Sequence, residues 1–378
     1  MLKILTAGES HGKALVGILS GFPAGFKINI KDINKELKKR QSFFGRGKRS
    51  KDIESDKVEI LSGVRNNVTL GSPITFLIKN VDFKIFSQKP DNLTPISVPR
   101  PGHADLAGSL KFGFKDIRNV LERASARETA IRVCIGTLCK QFLKEFKIEI
   151  FSYVIRIGRI NADLKNLDFY ERKKKAESSE ILCPDKSAEK KMKELILETQ
   201  KKGNSLGGAF EVVVLGVLPG LGSYTDYFER LDAQLAQSLV SIPSVKGVEI
   251  GEAILGSQIL GSDFQDPIFY SKKKGFYRKK NYAGGIEGGV SNGAPIILRG
   301  YCKPIPSIKI PLDSVNINTK KKEKSSYIRA DTCVVPSAAL IAESVTAIVI
   351  LDNFLKKFGS DSFEDIKKNF ENYLKRLK

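Results

Sequence analysis

Tryptophan is absent from the 378 residues, histidine occurs only twice and cysteine five times. Two histidines, His11 and His103, exclude a histidine-rich metal centre, and no metal is expected. The cysteines are Cys134, Cys139, Cys183, Cys302 and Cys333. Their odd number and lack of Cys-x-x-Cys spacing argue against a disulfide framework and against a zinc site. They are expected to be buried thiols in a reducing compartment. An unbroken apolar run of spanning length is also missing. The most apolar stretch, Ala338 to Leu355, carries Glu343 and Asp352 and reads as a buried core helix. The opening MLKILTAGES has too short an apolar run for a secretory signal, so a cytoplasmic protein is expected. No repeat of solenoid period and no proline- or serine-rich linker divides the chain, so residues 1–378 are expected to form one domain.

Acidic residues are in the minority, 42 against 63 lysines and arginines, for a net charge of +21. Lysine runs at 173–175 and 320–322 inflate this figure and read as solvated loops. RNA binding is one reading of the surplus, with Phe43 and Phe44 of "KRQSFFGRGKRS" available to stack on bases. No RNA-recognition motif accompanies it, and neither nucleic acid nor a membrane is the expected partner.

Strand-like stretches fall at Lys57–Leu61, Ile74–Ile78, Ile148–Ile157, Gly208–Val217 and Ile296–Leu298. Helical periodicity predicts Asp32 to Arg40, Ser125 to Phe146, Ser187 to Lys202 with Ser187 as N-cap, and a C-terminal helix within 360–378. Residues 172–191 are charged and poor in apolar side chains, so they read as a surface excursion. The mixture predicts an α+β fold with antiparallel sheets rather than a doubly wound one.

The chemistry is expected in loops. "GESHGK", Gly8 to Lys13, has two glycines and a lysine, but only three residues separate the glycines, and Ala14 stands where a magnesium-binding hydroxyl would be needed. A nucleotide-phosphate loop is therefore excluded, leaving His11 as an acid–base candidate. "VPRPGHAD" places Arg100 near His103 in a loop set by proline and glycine. In "LERASARETA", Ser125 and Glu128 have capping-box spacing, so Arg123 and Arg127 flank the positive end of a helix. Two readings stay open there: an anion site, or arginines paired with Glu122 and Glu128 on the surface. "IRADTCVVP" sets Arg329 two residues before Asp331, a cation beside a carboxylate that favours an ionised base. "YAGGIEGGVSNGAP" is no dinucleotide fingerprint, though its glycines permit close approach to a flat ligand.

GESHG, the Arg40–Arg49 loop, RPGHAD, RASARETA, VKGVEIG, AGGIEGG, KPIPS and RADTCVVP stand in the order found in the chorismate synthase family, which the chain resembles from its first residues to about Leu355. The resemblance implies an anti 1,4-elimination of phosphate from 5-enolpyruvylshikimate 3-phosphate to give chorismate, dependent on reduced FMN. It implies an α+β single-domain sandwich, with antiparallel sheets in the core between helices, assembled as a homotetramer. By motif, His11 would be proton donor to the leaving phosphate, and His103 would lie near the flavin. Asp331 would assist deprotonation of the ring carbon, with the reduced flavin as base. Ser10, Arg40, Arg46, Arg49, Arg100, Arg127 and Arg329 would bind substrate. Arg123, Ala124, Ser125, Pro243, Ser244, Gly288, Lys303, Pro304, Ile305, Pro306, Ser307 and Arg329 would contact FMN. NADPH enters only as a flavin reductant, with Arg40 and Arg46 as its contacts. The absence of an extra domain favours flavin reduced elsewhere.

Overall fold

The computed structural model describes residues 2–46, 56–81, 83, 95–273, 275–325 and 331–377. Two sheets organise it. The first contains β1 (Lys3–Ala7), β2 (Ala14–Ser20), β3 (Val58–Ser62) and β4 (Ile74–Lys79), in the order β1-β2-β4-β3. The second contains β5 (Glu149–Ile157), β6 (Ile160–Asn161), β7 (Gly208–Leu215), β8 (Val245–Ile250) and β9 (Ile296–Cys302), in the order β8-β9-β7-β5-β6. Every pairing in both sheets is antiparallel. In β4, Ile74, Phe76 and Ile78 are fully buried on one face, and the alternate residues lie outward, as a period of two requires. In β7 nearly every residue is buried, because both faces of the second sheet are covered.

The principal helices are α1 (Ile30–Ser42), α2 (Asp105–Phe112), α3 (Arg118–Ala124), α4 (Thr129–Glu145), α5 (Phe169–Glu177), α6 (Lys186–Lys201), α7 (Leu231–Val240), α8 (Val335–Phe358) and α9 (Phe363–Leu377). Helix α1 starts two residues earlier than its periodicity predicts, because Asn29 accepts from the amides of Lys31 and Asp32. Helix α6 is capped by Asp185, which accepts from Ser187 N and Ala188 N, and not by the expected Ser187. The expected excursion over 172–191 is instead a helix pair joined by a buried turn. Ile181, Leu182 and Cys183 are in the core, and Ala176 packs with Phe151, Tyr153 and Val213 on the outer side of the second sheet.

The order of layers also corrects the expectation of sheets between helices. Gly17 of β2 lies so close to α4 that a Cβ there would meet Ile131 at 2.4 Å. On another face of α4, a Cβ on Gly136 would come 2.4 Å from the Ser344 Cα of α8. Glu343 of α8 in turn accepts from Ser152 N and Oγ of β5, at 3.0 and 2.7 Å. Helices α4 and α8 therefore fill the centre, with one sheet on each side. Helix α8 is buried on nearly all sides, which is why its apolar run needs no membrane to cover it. The charge it brings inside is matched: Lys140 reaches Glu343 at 2.5 Å and Glu36 at 3.4 Å. Burial opposes the Lys140 charge, but the two carboxylates outweigh it and push its titration up. All five cysteines are free and buried, and burial pushes the Cys302 thiol up to about 11 and Cys333 to about 12.

Candidate active site

GESHGK is the connection of a β-hairpin. Strands β1 and β2 pair from Lys3↔Ser20 to Ala7↔Val16, and the loop between them must turn back tightly. Gly8 has φ +104° and lies where a Cβ would stand 2.3 Å from Ala14 O, so no side chain fits there. Residues from elsewhere in the chain hold the loop. Asn80, just past β4, donates from Nδ2 to Glu9 O and Gly12 O at 3.1 and 2.8 Å. Glu122, in the last turn of α3, accepts Ser10 N on its carbonyl at 2.9 Å. Its carboxylate accepts from His11 N at 2.7 Å and lies 2.6 Å from His11 Nδ1. Ser10 is buried, and its hydroxyl accepts from Ser125 Oγ at 3.3 Å.

The RASARE segment breaks between two helices. Ser125 is extended at φ −63°, ψ 140°, and a 3₁₀ turn over Ala126–Glu128 leads into α4. The expected capping box is replaced by a shorter bond, with Ser125 Oγ accepting from Arg127 N. The reading of these arginines as surface partners of Glu122 and Glu128 needs correction. Arg123 donates to the carbonyls of Gly8 and Thr6, and Glu122 is taken by His11. Glu128 pairs with Arg132 at 2.8 Å. Arg127 is buried, with its guanidinium on Asp56 at 2.6 and 2.7 Å and its Nε on Asn80 Oδ1 at 3.0 Å. Arg40 is only 2% exposed and donates to Thr129 Oγ1 and Ala126 O. Arg46 donates to Ser337 Oγ at 3.2 Å and stands 3.4 Å from Asp331. Among the described residues, Arg46 of a distant loop is a cation beside Asp331. Arg49 and Arg329 lie outside the described residues.

The second histidine has the same kind of support. Pro101 and Gly102 (φ +81°) occupy the centre of a turn closed by His103 N donating to Arg100 O. The turn delivers His103 Nδ1 to Asp105 Oδ1 at 2.5 Å, while Arg100 grips the same carboxylate through Nε and Nη2 at 2.8 and 3.1 Å. Burial would raise the Asp105 carboxyl. Hydrogen bonds and charge from His103 and Arg100 outweigh it and hold that carboxyl well below the usual carboxylate range.

These loops join into one wall. Arg100 Nη1 donates to Ser307 Oγ at 2.6 Å, and Lys303 Nζ donates to Gly102 O. Ser205 fixes the segment between by donating to Ile305 O, with Pro304 and Pro306 on either side. Lys303 N donates to Ser244 O at 2.9 Å, which ties KPIPS to the end of α7. Ser244 holds a φ of +78°, a strained conformation for a residue other than glycine. Next to it a cavity of about 240 Å³ is lined by Arg123, Ala124, Ser125, Glu128, Arg132, Ser241 and Pro243. Gly288 precedes Gly289, whose carbonyl accepts from Leu231 N at the first turn of α7, the helix that ends just before Ser241. A larger hollow of about 410 Å³, between Ser109–Lys115 and Ile317–Lys320, contains none of the predicted residues.

Asp56, Asn80, Asp105 and Arg132 were not singled out from sequence, and Glu122 only as an ion-pair partner for the neighbouring arginines. For Glu122 and Asp105, adjacency to a motif histidine or arginine was the available signal; Asp56 and Asn80 carried none. The base-stacking reading loses its aromatics: Phe43 is buried in the core, and Phe44 lies under Lys193 Nζ at 5.0 Å.

The family model described as chorismate synthase matches residues 2–355. The chorismate synthase of Alkaliphilus metalliredigens is 51% identical over 379 residues, covering 99% of both chains. That of Aquifex aeolicus is 45% identical over 392 residues, covering 100% of this chain and 98% of its own. A crystal structure of chorismate synthase matches with a TM-score of 0.82 and 40% identity, covering 100% of this chain and 98% of the other.

Proposed function

Since the chain belongs to the chorismate synthase family and is a lyase of that type, we propose that it converts 5-enolpyruvylshikimate 3-phosphate to chorismate and inorganic phosphate by anti 1,4-elimination, with reduced FMN bound. The observation that carries this reading is the continuous wall from Arg123–Ser125 through Pro243–Ser244 and Lys303–Ser307 to Gly102–His103. Segments far apart in sequence converge there.

The residues present suit FMN. Arg123 and Arg132 offer guanidinium groups for a phosphate, Ser125 and Ser241 offer hydroxyls, and Pro243 offers an apolar surface to a flat ring. Arg123, Ala124, Ser125, Pro243, Ser244 and residues 303–307 are assigned to hold it. When bound, reduced FMN supplies transient electron density to the substrate, so that no net redox change results.

In the elimination a carbon–oxygen bond breaks, phosphate leaves with the electron pair, and a ring carbon loses a proton. His11 donates a proton to the departing phosphate oxygen. Asp331, 3.4 Å from Arg46 Nη1, assists removal of the ring proton. Arg100, through Asp105, fixes His103 beside the cofactor wall. Ser10, Arg46, Arg49 and Arg329 are assigned to the substrate anions. The buried Arg40 and Arg127 shape that pocket from behind, and the engagement of Arg40 with Thr129 and Ala126 favours flavin reduced by another protein over a direct NADPH contact. A cytoplasmic homotetramer completes the reading. Anaerobic incubation with reduced FMN and the enolpyruvyl substrate tests it by phosphate release; folded protein that releases none overturns it.

A further inference from the structure

We infer that Glu122 is the positioning residue for His11, fixing which ring nitrogen carries chemistry; the inference rests on the lyase reading given above. Three bonds converge from this one residue. Its carbonyl accepts from Ser10 N at 2.9 Å, Oε2 accepts from His11 N at 2.7 Å, and Oε1 lies 2.6 Å from His11 Nδ1. Backbone and imidazole of His11 are thus set by the same carboxylate, whose side chain is 24% exposed. The carboxylate stands on a helix whose next residue, Arg123, grips the same hairpin through Gly8 O and Thr6 O. The mounting is rigid and local.

An ionised carboxylate only accepts hydrogen bonds, so Nδ1 must carry a proton. Proton exchange with a ligand then falls to Nε2. In the elimination, Nε2–H passes its proton to the phosphate oxygen as the carbon–oxygen pair departs with phosphate. The imidazolium becomes the neutral Nδ1–H tautomer without losing its bond to Glu122. Solvent water restores the proton at Nε2 before the next turnover.

The test uses the full-length protein. Because the chain has two histidines, selective ¹⁵N-histidine labelling yields two imidazole spin systems, assigned with His103→Asn. Neutral His11 is expected as the Nδ1–H tautomer; the Nε2–H tautomer in wild-type protein overturns the inference. In steady-state assays with reduced FMN, Glu122→Gln is expected to lower kcat roughly 10–100-fold, the range for partners that orient a working histidine. KM and FMN affinity are expected to stay within about two-fold of wild type, with part of the loss recovered in Glu122→Asp. Wild-type kcat in Glu122→Gln, or a loss confined to KM, overturns the inference. If Glu122→Gln does not fold, the wild-type tautomer decides. The spectroscopic arm needs neither flavin nor substrate: Nδ1–H in a protein that releases no phosphate sinks the lyase reading and leaves the hold of Glu122 on His11 standing.

Discussion

Arg127 lays its guanidinium edge-on against Asp56, with Nη1 2.6 Å from Oδ2 and Nη2 2.7 Å from Oδ1, both side chains almost wholly buried. The pair closes a path from the start of β3, through Arg127 and Asn80, to the hairpin loop that bears His11. Removing one partner leaves the other charge buried. Arg127→Ala is therefore expected to destabilise the fold by about 3–5 kcal/mol, read as a lowered urea midpoint. Arg127→Lys is expected to recover only part, since an ammonium cannot bond both oxygens in a fork. An unchanged midpoint with weakened substrate affinity would return Arg127 to the role of a direct ligand.

His11→Ala leaves the cavity beside Arg123 and Pro243 intact while removing the proposed donor. Turnover is expected to fall by roughly 10²–10⁴-fold, with FMN affinity retained in a fluorescence titration. Near-normal turnover removes His11 from the proton-donor role.

Asp105 makes a prediction about acid. Its carboxyl titrates lower in the folded protein than in the unfolded chain, so the unfolded chain takes up the proton first as pH falls. The stability it contributes is complete above about pH 4 and is lost progressively below. Wild-type stability should fall below pH 4 by up to about 1.4 kcal/mol per pH unit more steeply than that of Asp105→Asn. Parallel acid limbs in denaturation series of the two proteins would show that the triad with Arg100 and His103 contributes nothing to stability.

Gly136→Ala tests the layer order. In an exposed helix this change stabilises by up to about 1 kcal/mol. Here the new methyl would meet the α8 backbone at Ser344 at 2.4–2.5 Å, which neither helix can yield without moving a layer. A loss of about 1–3 kcal/mol or more is expected by thermal or chemical denaturation. A gain in stability would mean that α4 and α8 are not in close contact.

Much of the fold was legible along the chain. The alternation in Ile74, Phe76 and Ile78 marks one face of a strand, and the apolar run of α8 marks a core helix, because period and length are local properties. Capping was less legible: Asp185 and Ser187 are both good caps, and only the backbone geometry chose between them. The layer order was not legible at all. Helices buried on nearly all sides and strands buried on both faces fit either arrangement, and side-chain volume at Gly17 and Gly136 decided it.

For the site, sequence alone determined the loops and the residue types: two histidines in glycine-bearing turns, arginines in the motif loops, and motifs in a family's order. Tertiary structure decided the partners. His11 finds its carboxylate 111 residues away and Arg127 finds its own 71 residues away. Asp331 meets Arg46, which lies far away in sequence. A charge is neutralised by whatever lies within a few ångströms, and that proximity is set by the packing of hairpin, helix end and sheet edge.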